Sequence, residues 1–375
     1  MRSRLLLLYI LCAILVSSVT FVSADSTEKT SLEAFDMDAW HFIALGDNRQ
    51  QLGIWDYERN HYTHDNSSNP IRAALLNSVV DHNPKVEFIV HTGDIVTSGG
   101  EQDDWDRYFE DIENVTRNNI TIYYAVGNHE YYTYALSPGD WGPNDDDWST
   151  YLANVDLPGN ERYYSFDYRN RIHFAFINTE EYWDQGFNIS SEQKSWLIND
   201  LAANSIDFVV AVFHRPAYSV LRIDRVTEAQ AVRDVLEPIF QQYGVDLVFS
   251  GHDHYYYRTT RNGITYVTTG GGGAGLHPAQ AADAAQTGDV YFSEYHYCKV
   301  TVAATKVTIA SLIFYPSNQS TALADALEIP LGAEGTEITE IDITETTITE
   351  KTTIGFLIVL LAIPLFFMLK KSRKY

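Results

Sequence analysis

The 375-residue sequence predicts an α/β domain with mainly parallel inner strands. Three observations carry that prediction. Apolar runs alternate with amphipathic ones from Ala34 onward. The inner apolar runs end in clusters of glycine, acid, amide and histidine. Hydrophobic content of 45%, with 13% aromatic, supplies a large core and excludes a disordered or collagen-like chain.

Taken in order, His41 to Leu45 reads as a buried strand and Ile71 to Val80 as a helix. Val86 to His91 is a strand, Asp104 to Glu113 a helix and Thr121 to Val126 a strand. After an irregular stretch rich in Trp and Asp, Ser137 to Trp148, the segments Tyr163 to Tyr168 and Arg171 to Ile177 flank an Asn-Arg turn as a hairpin. Ser191 to Ala203 opens on serine and carries Trp196, Leu197 and Leu201 on one face, a helix by period and cap. Phe208 to Phe213 is a strand, Thr227 to Gln242 a helix and Val245 to Phe249 a strand. The remainder is β-rich: Ile264 to Thr269, Tyr295 to Val302 and Lys306 to Phe314.

The two ends set the expected compartment. Arg2 and Arg4 precede an apolar run from Leu5 to Val22, and Val22-Ser23-Ala24 offers a cleavage site, so residues 1–24 read as a signal peptide. Residues 25–335 read as a folded ectodomain and 336–352 as an acidic, Thr-rich stalk, with an edge strand as the plainer reading of its alternating Ile. Residues 353–369 read as a transmembrane helix and 370–375 as a basic cytoplasmic tail, in line with the positive-inside rule. The expected protein is thus a single-pass cell-membrane protein with its acidic folded bulk outside. Sequons at Asn66, Asn114, Asn119, Asn188 and Asn318 agree with a glycoprotein. Cys298 is the only cysteine left after signal removal, so the ectodomain has no intramolecular disulfide.

Charge excludes one class of partner. Of 26 Lys+Arg, six flank the terminal apolar runs, which leaves 20 against 50 Asp+Glu and a net of −30 between them. No nucleic-acid binding is expected of such a chain.

The chemistry gathers at strand ends. The first strand runs into Gly46-Asp47-Asn48-Arg49, the second into His91-Thr92-Gly93-Asp94 and the third into Gly127-Asn128-His129-Glu130. The Phe208 strand ends in His214-Arg215-Pro216 and the Val245 strand in Gly251-His252-Asp253-His254. Carboxyl ends of parallel strands line one edge, so these side chains converge. Glycine before four of the clusters lets the backbone turn sharply there. Carboxylate with imidazole suits Fe, Zn or Mn, and six such groups exceed what one ion needs. Two ions roughly 3.5–4 Å apart, bridged by one carboxylate, use them all and point to a two-metal hydrolase.

In that order, Gly46-Asp47, Gly93-Asp94, Gly127-Asn128-His129-Glu130, His214 and Gly251-His252-Asp253-His254 resemble the calcineurin-like metallophosphoesterase superfamily. His214 to Ser219, Gly251 to Arg258 and the Thr269 to Ala274 glycine run are similar to its purple acid phosphatase branch. The resemblance covers about residues 40 to 315. It implies a four-layer α/β/β/α sandwich, with Asp94 as bridging carboxylate. One metal would take Asp47, Asp94 and His254, the other Asp94, Asn128, His214 and His252. The resemblance further implies a hydroxide held between the ions as nucleophile, with His129 as general acid or donor to the phosphoryl group.

The sequence also departs from that pattern. Purple members carry Tyr three residues after the bridging Asp, where this chain has Thr97; other members carry His two residues after the first Asp, where it has Arg49. An Fe(III)–tyrosinate chromophore is therefore not expected. Arg49 reads either as a phosphate fork or as an ordinary ion-pair partner. His91 reads as a packed or supporting histidine, Tyr256 and Arg258 as supports of the His252–His254 loop, and Cys298 as core. Asn144 to Asp147 has the wrong spacing for a calcium loop and reads as a solvated loop. The expected function is a metal-dependent phosphomonoesterase acting on a phosphorylated small molecule. A phosphodiesterase with the same core and a catalytically degenerate surface binding domain are the alternatives, and oligomeric state is left open.

Overall fold

The computed structural model describes residues 39–50, 55–56, 61–62, 69–134, 141–143, 148–181, 187–281, 285–332 and 339–340. The signal and transmembrane readings, Asn66 and Asn144 to Asp147 lie outside those residues, as does most of the stretch read as a stalk. Asn114, Asn119, Asn188 and Asn318 are partly or fully exposed. Among the described residues no helix is long and apolar enough to cross a membrane.

The first half of the chain forms β1 (Trp40–Leu45), β2 (Trp55–Asp56), β3 (His61–Tyr62), α1 (Pro70–His82), β4 (Phe88–His91), α2 (Gln102–Asp111), α3 (Glu113–Arg117), β5 (Thr121–Tyr124), β6 (Tyr132–Tyr134), β7 (Trp141–Pro143), α4 (Ser149–Asn154), β8 (Tyr164–Tyr168) and β9 (Ile172–Phe176). The second half forms α5 (Ser191–Ala203), β10 (Val209–Val212), α6 (Ile223–Tyr243), β11 (Leu247–Ser250), β12 (Tyr256–Arg261), β13 (Ile264–Thr269), β14 (Val290–Phe292), β15 (His296–Val302), β16 (Lys306–Tyr315), β17 (Ser320–Pro330) and β18 (Thr339–Glu340).

Two seven-stranded sheets result, in the orders β18-β17-β16-β15-β1-β4-β5 and β14-β12-β13-β11-β10-β9-β8. β1, β4 and β5 run parallel in one, with β5 at the sheet edge, and β9, β10, β11 and β13 run parallel in the other. The remaining strands pair antiparallel. Period-two alternation explains why the sheets stack. On β9 and β10, Ile172, Phe174, Phe176, Val210 and Val212 enter the inter-sheet core, while Ala175, Val209 and Ala211 face α5 and α6. Phe42 and Phe88 of the first sheet meet Phe174 of the second at ring distances of 5.4 and 5.6 Å. Leu75, Leu76 and Val79 of α1 and Trp105 and Tyr108 of α2 cover the outer face of the first sheet. The layers are α/β/β/α, as expected.

Local chemistry accounts for the element ends. Asn69 caps α1 by accepting from the N–H of Ile71 and Arg72, with Pro70 at the first helical position. Ser190 caps α5 through the N–H of Gln193. The β8–β9 turn is Arg169-Asn170, with φ of 51° and 50°, the pair of positive values that a tight hairpin requires.

Five readings change. The predicted 104–113 helix divides at Ile112 into α2 and α3, and α6 begins at Ile223 rather than Thr227. β12 is a strand although its sequence is polar, because Arg258 and the Tyr256 hydroxyl bond Asp325 of β17 in the buried interior. β17 was hidden by its helix-forming Ala, Leu and Glu. Thr339–Glu340, within the stretch read as a stalk, pair with Leu327–Glu328 as an edge strand.

Candidate metal centre

Asp47 follows β1, Asp94 follows β4, Asn128 follows β5, His214 follows β10, and His252 and His254 follow β11. All five are parallel strands, so their carboxyl ends share one rim. Backbone bonds join the loops of the two sheets there. Asp47 N–H donates to Gly93 O (3.0 Å), Gly251 N–H to His214 O (2.9 Å) and Gly272 N–H to Gly46 O (2.9 Å).

The sharp turns fall one residue later than expected. Of Gly46, Gly93, Gly127 and Gly251, only Gly93 has positive φ (94°). The left-handed residues are Asp47 (56°), Asp94 (57°) and His252 (68°) themselves. Glycine at 46 and 251 serves close approach instead: a Cβ there would lie 1.8 Å from Thr92 Oγ1 and 2.3 Å from Asp47 Oδ2 respectively. Glu130 clamps two of the loops, accepting from the N–H of Asp94 (2.8 Å), Ile95 (2.7 Å), Val96 (3.2 Å) and Gly127 (2.7 Å).

Carbonyl groups set the imidazole tautomers, since a carbonyl can only accept. His214 Nδ1–H donates to Thr92 O (2.9 Å), His254 Nδ1–H to Gly275 O (2.6 Å) and His129 Nδ1–H to Thr97 O (2.7 Å). Each neutral ring therefore has a bare Nε2. His214 Nε2 stands 3.1 Å from Asn128 Oδ1 and 3.3 Å from Asp94 Oδ1. His254 Nε2 is 3.4 Å from Asp47 Oδ1. His129 Nε2 is 3.9 Å and Arg49 Nε 3.6 Å from Asp94 Oδ2.

Electrostatics follow from burial. Burial, reinforced by the neighbouring Asp94, pushes Asp47 well above the ordinary carboxylate range despite His214 nearby. Burial acts on Asp94 in the same direction, but His214, His129 and Arg49 outweigh it and hold Asp94 low. Burial and then Arg49 lower His129 to about 3, and burial lowers His254 to about 4.

The donor set fits a pair of cations. Asp94, His214 and His252 form one buried group and Asp47, Asp94 and His254 another, each with ligand atoms within 4.8 Å of one another. Asp94 belongs to both. Bare acceptor atoms of His214, Asn128 and Asp94 packed 3.1–3.3 Å apart suit a shared positive ion better than one another.

The six sequence-predicted ligands thus come together, with Arg49 and His129 beside Asp94. His91 joins neither group: its Nδ1 accepts from Gly93 N–H (3.2 Å), and burial lowers it to about 3. Several contributors were missed. His277 stacks on His254 at 4.0 Å and accepts from the His254 N–H, but nothing in its loop marks it. Glu130 lay within a quoted cluster, and its spacing from Gly127 was the available signal.

Two facing sheets with an acid-, amide- and imidazole-lined rim define a metal-binding α/β sandwich. The chain belongs to the calcineurin-like phosphoesterase family, whose model matches residues 61–256, more than half of its length. It is similar to purple acid phosphatase 13 of Arabidopsis thaliana, 32% identical over 205 residues that cover 50% of this chain and 35% of that protein. It is also similar to probable inactive purple acid phosphatase 9 of the same plant, 29% identical over 212 residues, 46% of this chain and 30% of that one. The chain spans about a third of the length of these curated relatives. The structure of purple acid phosphatase PPD1 from yellow lupin (Lupinus luteus) seeds matches 78% of this chain and 54% of its own, with a TM-score of 0.57 and 20% identity, a likeness of fold.

Proposed function

We propose that the chain is a metal-dependent phosphoric ester hydrolase whose substrates are phosphomonoesters of small molecules. The carrying observation is the place of Asp94 in both buried ligand groups. Asp47 and His254 would hold one ion, Asn128, His214 and His252 the other, and Asp94 both; the set suits Fe, Zn or Mn. When bound, such ions neutralise phosphoryl charge and acidify water.

The remaining residues act on substrate. Arg49 Nε has no hydrogen-bond partner among the described residues, and its side chain is 15% exposed, so the guanidinium can fork onto phosphate oxygens. His129 can donate from Nε2 only as imidazolium, because the proton of the neutral ring sits on Nδ1 and is donated to Thr97 O. Burial opposes that form, and the negative substrate must stabilise it.

Placement of the catalytic domain outside the cell, on a single-pass anchor, is supported by the positive ends and apolar runs of the sequence. Loss of mobility change after deglycosylation in a variant lacking Asn66, Asn114, Asn119, Asn188 and Asn318, together with surface labelling of intact cells, tests it.

One observation favours a second reading, a binding domain without turnover. Thr97 Oγ1 donates to Gln50 O (3.0 Å), and Arg49 stands where other members have histidine, so neither adds a ligand. The deciding assay takes the full chain with its metal content measured and Mn, Fe or Zn restored. Hydrolysis of a generic monoester and diester is compared for wild type, Asn128→Ala and His129→Ala. Metal-dependent monoester turnover lost in both variants supports the proposal, and preference for the diester selects the phosphodiesterase. No turnover together with no tightly bound metal selects the binding domain, whereas two bound ions without turnover on either generic ester point to a more selective hydrolase.

A further inference from the structure

Glu228 lies on α6, outside every motif in the sequence, and ends beside His252. Its Oε2 is 3.6 Å from His252 Nε2. Two arginines hold it: Arg215 Nη1 bonds Oε1, and Arg225 Nη1 donates to Oε2 at 2.9 Å. Arg215 is itself clamped by buried Glu180, its Nε and Nη2 donating at 2.8–2.9 Å. Glu228 is thus fixed at one ring nitrogen of His252 while the other faces the ligand cluster.

Proton positions follow bond by bond. His214 keeps its proton on Nδ1 for Thr92 O, which leaves Nε2 bare. His252 Nδ1, 3.0 Å from that bare nitrogen, must then be the donor. His252 Nε2 is bare in turn, and Arg215 Nη1 donates to it across 3.3 Å. A cation held by His214 Nε2 and His252 Nδ1 needs both atoms bare. The His252 proton must then leave Nδ1 and sit on Nε2. Arginine carries no acceptor, so Arg215 cannot receive it. The acceptor within reach is the Glu228 carboxylate.

We infer that Glu228 is a positioning residue for the ion that Asp94, His214 and His252 would share: its carboxylate would accept a hydrogen bond from His252 Nε2–H, holding the tautomer whose Nδ1 is free for the metal. The inference rests on the two-ion reading of the site. The ring carries one proton before and after, the N–H at Nδ1 breaking through solvent exchange as the N–H at Nε2 forms. A carboxylate behind a metal-bound imidazole also raises its basicity, and removing such a partner costs about 10- to 100-fold in metal affinity.

The test is titration of the metal-free full chain with Zn²⁺ in wild type, Glu228→Ala and Glu228→Gln. Two ions should bind wild type. One of them should weaken about 10- to 100-fold in Glu228→Ala, and less in Glu228→Gln, whose amide oxygen still accepts. Two tight ions in wild type with unchanged affinities in Glu228→Ala overturn this inference alone. Fewer than two ions in wild type overturn it together with the hydrolase reading. Ring ¹⁵N spectra of wild type and Glu228→Ala provide a readout that a merely structural Glu228 would not move, since the His252 Nε2–H signal of the Zn²⁺ form should shift in the variant. The His252 proton should be on Nδ1 without metal and on Nε2 with Zn²⁺, and a proton on Nε2 in both states refutes the switch.

Discussion

Replacing Glu130 asks what holds the Asp94 and Asn128 loops together. Its two oxygens accept four backbone N–H groups at 2.7–3.2 Å, and the residue is 3% exposed. Burial and Asp94 push Glu130 up to about 8, yet a protonated carboxyl would have to place its O–H among four donors. The carboxylate is the form that the geometry satisfies. Hydrogen bonds to a charged acceptor contribute about 1.5–3 kcal/mol each, less the cost of burying the charge. Glutamine retains one acceptor oxygen and turns an amide N–H₂ towards two of the donors, a loss of about 2–4 kcal/mol. Alanine strands all four, about 4–6 kcal/mol against a total of about 5–15 kcal/mol. Urea unfolding in chelator, where bound metal cannot contribute, measures both variants. A Glu130→Gln midpoint equal to wild type, at unchanged slope, would mean that water replaces the clamp and that the four bonds do not determine loop stability.

Three further outcomes are expected. Burial raises Asp246 from 3.8 to about 6, so the native state holds its proton more tightly and stability falls as pH rises through that interval. Asp246→Asn, which can still accept from Val209 N–H, should gain roughly 1–3 kcal/mol at pH 8 and nothing at pH 3 by thermal melting; an equal gain at both discards the linkage. Burial lowers His173, but hydrogen bonds to Asp200 (3.0 Å) and Asp167 (2.7 Å) outweigh it and leave the pKa raised. Its contribution is complete below pH 6.5 and disappears as pH rises through the higher folded value, so His173→Gln should flatten the melting profile there; parallel profiles would contradict this. Arg72 is fully buried, its Nε 2.9 Å from Asp111 Oδ2, and Arg72→Met strands that carboxylate at a cost of about 3–5 kcal/mol. Adding Asp111→Asn should recover part of the loss in urea melts, and strict additivity would show the pair to be uncoupled.

Strands with continuous apolar character were legible because burial on both faces leaves a one-dimensional signature. β4, β10 and β11 are buried at every position. The site was legible for a related reason: each ligand lies two to four residues beyond the end of a parallel strand, so order along the chain maps onto one rim. β17 escaped through its helix-forming residues, and β12 because the group that lets its charge be buried is far along the chain. Arg258 reads as a support of the His252–His254 loop, and only its contact of 2.6 Å with Asp325 of β17 shows both to be inside. Glu228 and His277 escaped for the same reason, since each acts through a histidine on another loop. The turn geometry was misjudged because glycine suggests positive φ, whereas a vanishing side chain was needed at positions 46 and 251 for contact.

Left-handed backbone at Asp47, Asp94 and His252 sets stability against chemistry at the same three positions. Each non-glycine residue in that region costs of order 1–3 kcal/mol. Glycine would relieve the backbone at all three sites, and asparagine tolerates the conformation better than histidine does. Drift at these positions therefore runs downhill towards folded descendants that have lost a ligand. A lineage with this architecture yields inert copies more readily than unfolded ones, and only selection on turnover or on metal uptake keeps the acids and the imidazole in place.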